Sequence, residues 1–191
     1  MIIKLIIKFL IIILLTSKPS FSNKYIGEKI TVNDNNFPAE INNKSFIGEK
    51  GDKTAQFNLG LTYHYGYGVQ EDYAEAFKWY SLAAEQGLAT AQSNLGSMYD
   101  LGNGVYQNYK EAFKWYKLAA EQGFASAQFN LGLMYNNGDG IPKNNIDAYM
   151  WFKLASSNGD NDAKIEINKL NKVLSESELQ KALKLYDNSL K

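Results

Sequence analysis

Apolar positions recur along this chain with two superimposed periods. At short range, Ala55, Leu59 and Tyr63 fall at i, i+4 and i+8, which places one stripe on the face of a helix. Ala76, Trp79 and Ala83 form a second stripe at helical spacing, with Tyr80 beside it. At long range everything returns after 36 residues. Ala55-Gln56-Phe57-Asn58-Leu59-Gly60 recurs as Ala91-Gln92-Ser93-Asn94-Leu95-Gly96 and as Ala127-Gln128-Phe129-Asn130-Leu131-Gly132. The same offset carries Tyr63 to Tyr99 and Tyr135, and Trp79 to Trp115 and Trp151. It also carries Gly51 through Gly87 and Gly123 to Gly159. A strict repeat of this length means one supersecondary unit stacked on copies of itself.

Each unit predicts two helices. Gly66-x-Gly68 and its copies (Gly102, Gly104, Gly138 and Gly140) end the first. Asp72, Asn108 and Asn144 are N-cap residues for the second, and Glu75, Glu111 and Asp147 stand three positions on. That spacing is capping-box-like, with the acid reaching back to the cap; the third box is the weaker, because Asp is short. Gly87, Gly123 and Gly159 close the second helix, where a left-handed residue is needed. Gly60, Gly96 and Gly132 lie inside the first helix, where Gly costs about 1 kcal/mol against Ala, so a neighbouring helix is expected to pass too close for a Cβ. The units are 51–86, 87–122 and 123–158. Over 159–191 the pattern decays: Ala163 and Ile167 keep the stripe, but Asn168 and Asn171 replace the Gly and Tyr. Ser175-x-x-Glu178 then opens a last helix, the polar terminal cap that an open solenoid requires.

The motif Ala-x-x-x-Leu-Gly-x-x-Tyr, a Gly-x-Gly loop, then Ala-x-x-Trp-Tyr-x-x-Ala-Ala-x-x-Gly resembles the Sel-1-like repeat family, relatives of tetratricopeptide units. The resemblance covers 51–159. It implies an all-α, right-handed α-solenoid of helix–turn–helix repeats with a concave groove. It also implies a non-enzymatic adaptor, often exported in bacteria, acting in envelope regulation or contact with host cells. One branch of the family is described as penicillin-binding or β-lactamase-like and carries paired Cys in each repeat. This chain has no Cys and no Ser-x-x-Lys, so that activity does not carry over.

Composition narrows the chemistry. With no Cys and a single His, the sequence excludes disulfide scaffolds, Cys-based zinc sites, thiol catalysis and any two-His metal site. The 20 basic residues are all Lys and are balanced by 20 acids. No guanidinium fork and no net positive field are present, which argues against nucleic-acid binding. Residues 1–15 are almost wholly apolar, with Lys4 and Lys8 the only charges. The apolar run is shorter than the roughly 20 residues of a membrane span, and small residues follow it. We read 1–22 as a secretory signal peptide cleaved after Ser22, giving a periplasmic or secreted chain; the alternative is an uncleaved N-terminal anchor. Loss of Lys4, Lys8 and Lys18 leaves 17 Lys against 20 acids, a balance of −3. Residues 23–50 read as a polar lead-in with a short capping helix over about 39–50.

If Ala55, Leu59 and Tyr63 face inward, then Phe57, Leu61 and His64 face the concave wall. The matching positions are Ser93, Ser97 and Asp100, then Phe129, Leu133 and Asn136, with Tyr65 and Asn137 at the border. An apolar strip rimmed by polar groups predicts a groove for a protein or peptide partner, unless the terminal segments 39–50 or 163–190 cover it. Asn58, Asn94 and Asn130 form a column at the groove edge. They either clamp a peptide backbone or bond between adjacent repeats. Tetratricopeptide clamps of this kind usually add Lys or Arg for a terminal carboxylate, and no basic residue faces this groove.

Other candidates have simpler readings. The repeated Trp and Tyr columns are core rather than sugar-stacking positions, and His64 is a surface or groove residue. Asp160 or Asp162 is read as capping the next helix rather than as part of a calcium loop, which would need a loop Gly and a distal Glu. No cofactor or metal is expected. The rival reading, a cell-wall (peptidoglycan or β-lactam) hydrolase or a glycan-binding protein, rests on export and on the 14% aromatic content. Its only plausible acids are Asp100 and Asp139.

Overall fold

The computed structural model describes residues 51–190, so the expected signal peptide and the lead-in through residue 50 lie outside it. The described residues are all-helical. Six helices of 13 residues each make the three repeats: α1 (Lys53–Tyr65) with α2 (Tyr73–Glu85), α3 (Ala89–Leu101) with α4 (Tyr109–Glu121), and α5 (Ala125–Asn137) with α6 (Asn145–Ser157). Each helix packs on the next in chain order, which is the signature of an α-solenoid. The short α7 (Ala163–Leu170) and the terminal α8 (Glu176–Ser189) both pack on α6. Among the described residues, no helix is long and apolar enough to cross a membrane.

The second helices start where the polar pattern places them. Asp72, Asn108 and Asn144 accept from the amides two and three residues on. The acids do not complete the box, which corrects the expectation. The backbone N–H groups of Asp72, Asn108 and Asn144 are already donated to the carbonyls of Tyr63, Tyr99 and Tyr135 at 2.8–2.9 Å. Glu75 and Glu111 turn instead to Lys78 and Lys114, and Asp147 accepts from the Asn144 side chain. A complete capping box is formed between Ser175 and Glu178 at the start of α8. Asp160, not Asp162, caps α7, accepting from the amides of Asp162 and Ala163.

The glycine inside each first helix has the steric cause expected, delivered by a side chain rather than by a helix backbone. A Cβ on Gly60, Gly96 or Gly132 would fall 2.3, 2.8 or 2.6 Å from the ring of Tyr80, Tyr116 or Phe152 in the partner helix. Those rings are fully buried and form the floor between the helices of each repeat. The second glycine of the interhelical loop joins repeats. At Gly104 and Gly140 the backbone is left-handed, and a Cβ would meet the main chain of Tyr73 or Tyr109 in the preceding repeat at 2.2 or 2.8 Å.

Aromatic contacts and a polar ladder hold successive repeats together. Phe77 meets Tyr99 edge-on at 5.3 Å, and Phe113 meets Tyr135 at 5.6 Å. The ladder runs on Gln, not on the Asn column. Buried Gln92 donates to the Ala84 carbonyl of the preceding repeat at 3.1 Å and accepts from Gln122 at 2.7 Å. Gln128 repeats this with Ala120 and Asn158. The tryptophans are packing residues. Trp79 is buried, Trp115 and Trp151 are half-buried, and the Lys78 and Lys114 ammoniums lie over the rings of Trp79 and Trp115.

Candidate functional site

The residues expected on the groove wall of the first helices fall into three stations of different chemistry, one per repeat. The first is aromatic. Phe57 is half-buried with its ring 5.7 Å from Tyr80. His64, expected at the surface or in the groove, is half-buried among Tyr65, Tyr73 and Tyr80, with ring centroids 4.5, 5.3 and 5.9 Å away. Burial pulls its pKa below the usual imidazole value, against the opposing pull of Glu71. Exposed Tyr65 packs beside Tyr67 at 5.5 Å.

The expectation that Leu61 faces water is corrected: it is 1% exposed and belongs to the core. Ser93, the counterpart of Phe57 in the second repeat, is buried as well. Ser93 lies on α3, which packs on both α2 and α4, so a residue between its two buried stripes is also covered.

The second station is acidic. Ser97 and Asp100 are half-buried on α3, both within hydrogen-bonding range of the Tyr116 hydroxyl. Burial raises the Asp100 pKa above the ordinary carboxylate value, and Asp139 of the next repeat's loop raises it further. Tyr116 is itself pushed well above the usual phenol value, chiefly by burial. Asp139 accepts from the Asn137 side chain at 3.1 Å.

At the third station Phe129 and Leu133 are half-buried. Phe129 lies 5.5 Å from Phe152, and both residues join a core that continues into Ala163, Leu170 and Ala182 of α7 and α8. The C-terminal cap therefore takes up part of the apolar strip at this end.

Asn58, Asn94 and Asn130 are half-buried along the wall. Asn94 stands beside the Tyr80 hydroxyl of the preceding repeat without completing a hydrogen bond, and that buried hydroxyl has no partner. Tyr80 and Tyr116 are the functional candidates that the amphipathic reading missed; the signal was the column Tyr80, Tyr116, Phe152 under the three stations. Away from the wall, a cleft of about 390 Å³ lies between α6 and α8, lined by residues that include Ile146, Asp147, Lys181, Lys184 and Leu185. Burial raises the Asp147 pKa there. Among the described residues, no group of three or more His, Asp or Glu is placed to hold a metal ion.

Comparison with known proteins puts this arrangement in context. The family model described as Sel1 repeat matches residues 53–88, 89–124 and 125–160. The chain is similar to c5321, a protective antigen of uropathogenic Escherichia coli strains displaying an SLR fold. The identity is 35% and the TM-score 0.73, over 78% of this chain and 32% of that one. This chain thus spans about a third of that antigen's length. A Sel1 repeat protein from Oxalobacter formigenes is 36% identical with a TM-score of 0.62, over 68% of this chain and 98% of that one. Helicobacter pylori cysteine rich protein B shares the fold at 21% identity and a TM-score of 0.54, over 65% of this chain and 92% of that one. No curated protein matches the chain significantly.

Proposed function

This chain belongs to the Sel1 repeat family, and we propose that it is a non-enzymatic scaffold holding a protein or peptide segment along the inner wall of its first helices. Sel1 repeats typically mediate protein–protein contact. One observation carries the reading to this face: the core columns that start at Ala55, Leu59, Ala76 and Ala83 repeat unchanged, whereas the columns of Phe57 and His64 change in chemistry from repeat to repeat. Position 64 and its copies read His64, Asp100, Asn136, and position 57 and its copies read Phe57, Ser93, Phe129. Packing demands repetition in the core, so columns outside it that change in chemistry are free to set specificity for a partner. The apolar start of the chain supports export, with 1–22 as a cleaved signal peptide and a role in envelope regulation or host-cell contact.

Photo-crosslinking tests the assignment. A benzophenone amino acid replaces Tyr65 or Asn137 on the wall, or the exposed Leu82 or Leu118 of the second helices. Adducts in envelope extract from the wall positions alone support the proposal. Equal adducts from the second-helix positions overturn it.

A further inference from the structure

We infer that residues 37–50 are the second helix of a half repeat, with Asn36 as its N-cap, and that they dock on the leading flank of α1. The segment lies outside the described residues; its register in the sequence and the state of the receiving flank point to it. The short helix expected over about 39–50 thereby gains a register and a docking face, independently of the reading of the wall.

Each later first helix is received by the second helix of the repeat before it: α3 packs on α2, and α5 on α4. Gln92 and Gln128 sit in those contacts, 5% and 3% exposed, and donate to the Ala84 and Ala120 carbonyls eight residues back. No described helix precedes α1. Gln56, in the same column, is nevertheless just as buried at 4%. It accepts from Gln86 of its own repeat at 2.7 Å, as Gln92 accepts from Gln122, and it has an interaction besides this one. The residue eight places before Gln56 is Gly48. A buried amide needs an acceptor, and the Gly48 carbonyl holds the position that Ala84 and Ala120 hold in the later repeats.

The sequence supplies a helix in register for this flank. Asn36-Phe37 stands 36 residues before Asp72-Tyr73, and Ile47-Gly48-Glu49-Lys50-Gly51 stands 36 before Ala83-Ala84-Glu85-Gln86-Gly87. Asn36 thus falls in the N-cap column of Asp72, Asn108 and Asn144. Pro38 falls in the first turn, where a missing N–H is tolerated. Gly51 has a left-handed backbone, φ +91°, like Gly87, Gly123 and Gly159, which follow the second helices. The columns that change are as informative as those that are kept. Phe77 and Phe113 reach forward to Tyr99 and Tyr135 of the next repeat; their counterpart Ile41 stays apolar and would meet Tyr63. Ala83, Ala119 and Ala155 are fully buried, and their counterpart Ile47 is apolar too. Tyr80, Tyr116 and Phe152 instead reach back over the glycine in the first helix of their own repeat, and their counterpart is Lys44. A half repeat has no first helix to receive that ring, and the end of a solenoid requires a polar outer face.

Hydrogen exchange of the full chain, read by mass spectrometry, tests this. Amides of 42–50 should be slowed about a hundredfold or more against an unstructured chain, to the same order as those of 78–86. Ile47→Asp should strip that protection and lower the melting temperature, whereas Lys44→Asp should leave both unchanged. Gly48→Ala, in a column that already holds Ala84 and Ala120, should raise the melting temperature by about 2–4 °C, and it tests the register even if Ile47→Asp does not fold. Unprotected amides over 42–50, equal damage from Ile47→Asp and Lys44→Asp, or no gain from Gly48→Ala overturn the inference. Protection that disappears on dilution, together with a dimer in sedimentation, assigns the flank to a second copy of the chain and also overturns it.

Discussion

Gln92 and Gln122 are joined side chain to side chain at 2.7 Å, and Gln92 passes its own amide to Ala84 of the preceding repeat. One buried residue thus ties together α2, α3 and α4. Replacing Gln92 by Leu keeps the volume and removes both bonds, at about 1 kcal/mol each. We expect a loss of about 2 kcal/mol in urea denaturation, against under ~1 kcal/mol for Gln122→Ala, whose side chain is exposed to water. Equal losses for the two variants would show that the ladder does not carry the inter-repeat coupling.

Alanine in place of Gly96 reverses the usual helix preference. Propensity favours Ala by about 1 kcal/mol in a helix interior. Here the added methyl meets the Tyr116 ring at 2.8 Å, and the buried ring has nowhere to go. Gly96→Ala should lower stability by about 1–3 kcal/mol, and the closer approach at Gly60, 2.3 Å, should make Gly60→Ala the worse of the two. Adding Tyr116→Leu should recover part of the Gly96→Ala loss. A thermal melt in which the double variant shows no recovery would sink the steric account.

These features differ in how readily the sequence reveals them. Period, caps and loop glycines were legible because each repeat solves the same burial problem with the same residue at the same column. Asp72, Asn108 and Asn144 announce helix starts by local chemistry alone. The wall was less legible. A wheel drawn on Ala55, Leu59 and Tyr63 assumes one buried face, whereas the structure also buries Leu61, and Ser93 on a helix packed from two sides. The Gln ladder was overlooked because a polar column looks exposed until its partner column, Gln86, Gln122 and Asn158, is seen across the packing interface. The electrostatic effect of Asp139 on Asp100 depends on the stagger between repeats, which no local pattern encodes.

Asp100 should make the fold less stable at neutral pH. Its pKa is raised by burial and by Asp139, so the folded chain holds that proton more readily than the unfolded one. The associated stability is fully present below the ordinary carboxylate pKa and is lost as pH rises through the raised value. Asp100→Asn should therefore melt about 2 °C higher than the parent near pH 7.5, with the gap closing by about pH 4. His64 acts in the opposite sense: its lowered pKa gives stability that is lost as pH falls through the depressed value. Because His64 is present in both chains, the difference between their melting curves isolates Asp100. A gap that widens with acid would contradict the assignment.

Tyr80 and Tyr116 occupy the same column and fill the same kind of site, but their hydroxyls have opposite fates. That of Tyr80 is buried without a partner, whereas that of Tyr116 lies in range of Ser97 and Asp100. Removing an orphaned buried hydroxyl relieves a desolvation cost, and removing a partnered one leaves the other group unsatisfied. Tyr80→Phe should thus be neutral or stabilising by up to about 1 kcal/mol, and Tyr116→Phe destabilising by about 1 kcal/mol. Phe152 already shows that the column accepts a ring without oxygen, so shape is not at issue. Equal destabilisation by the two substitutions, measured by urea denaturation, would mean that the Tyr80 hydroxyl has a partner within the fold.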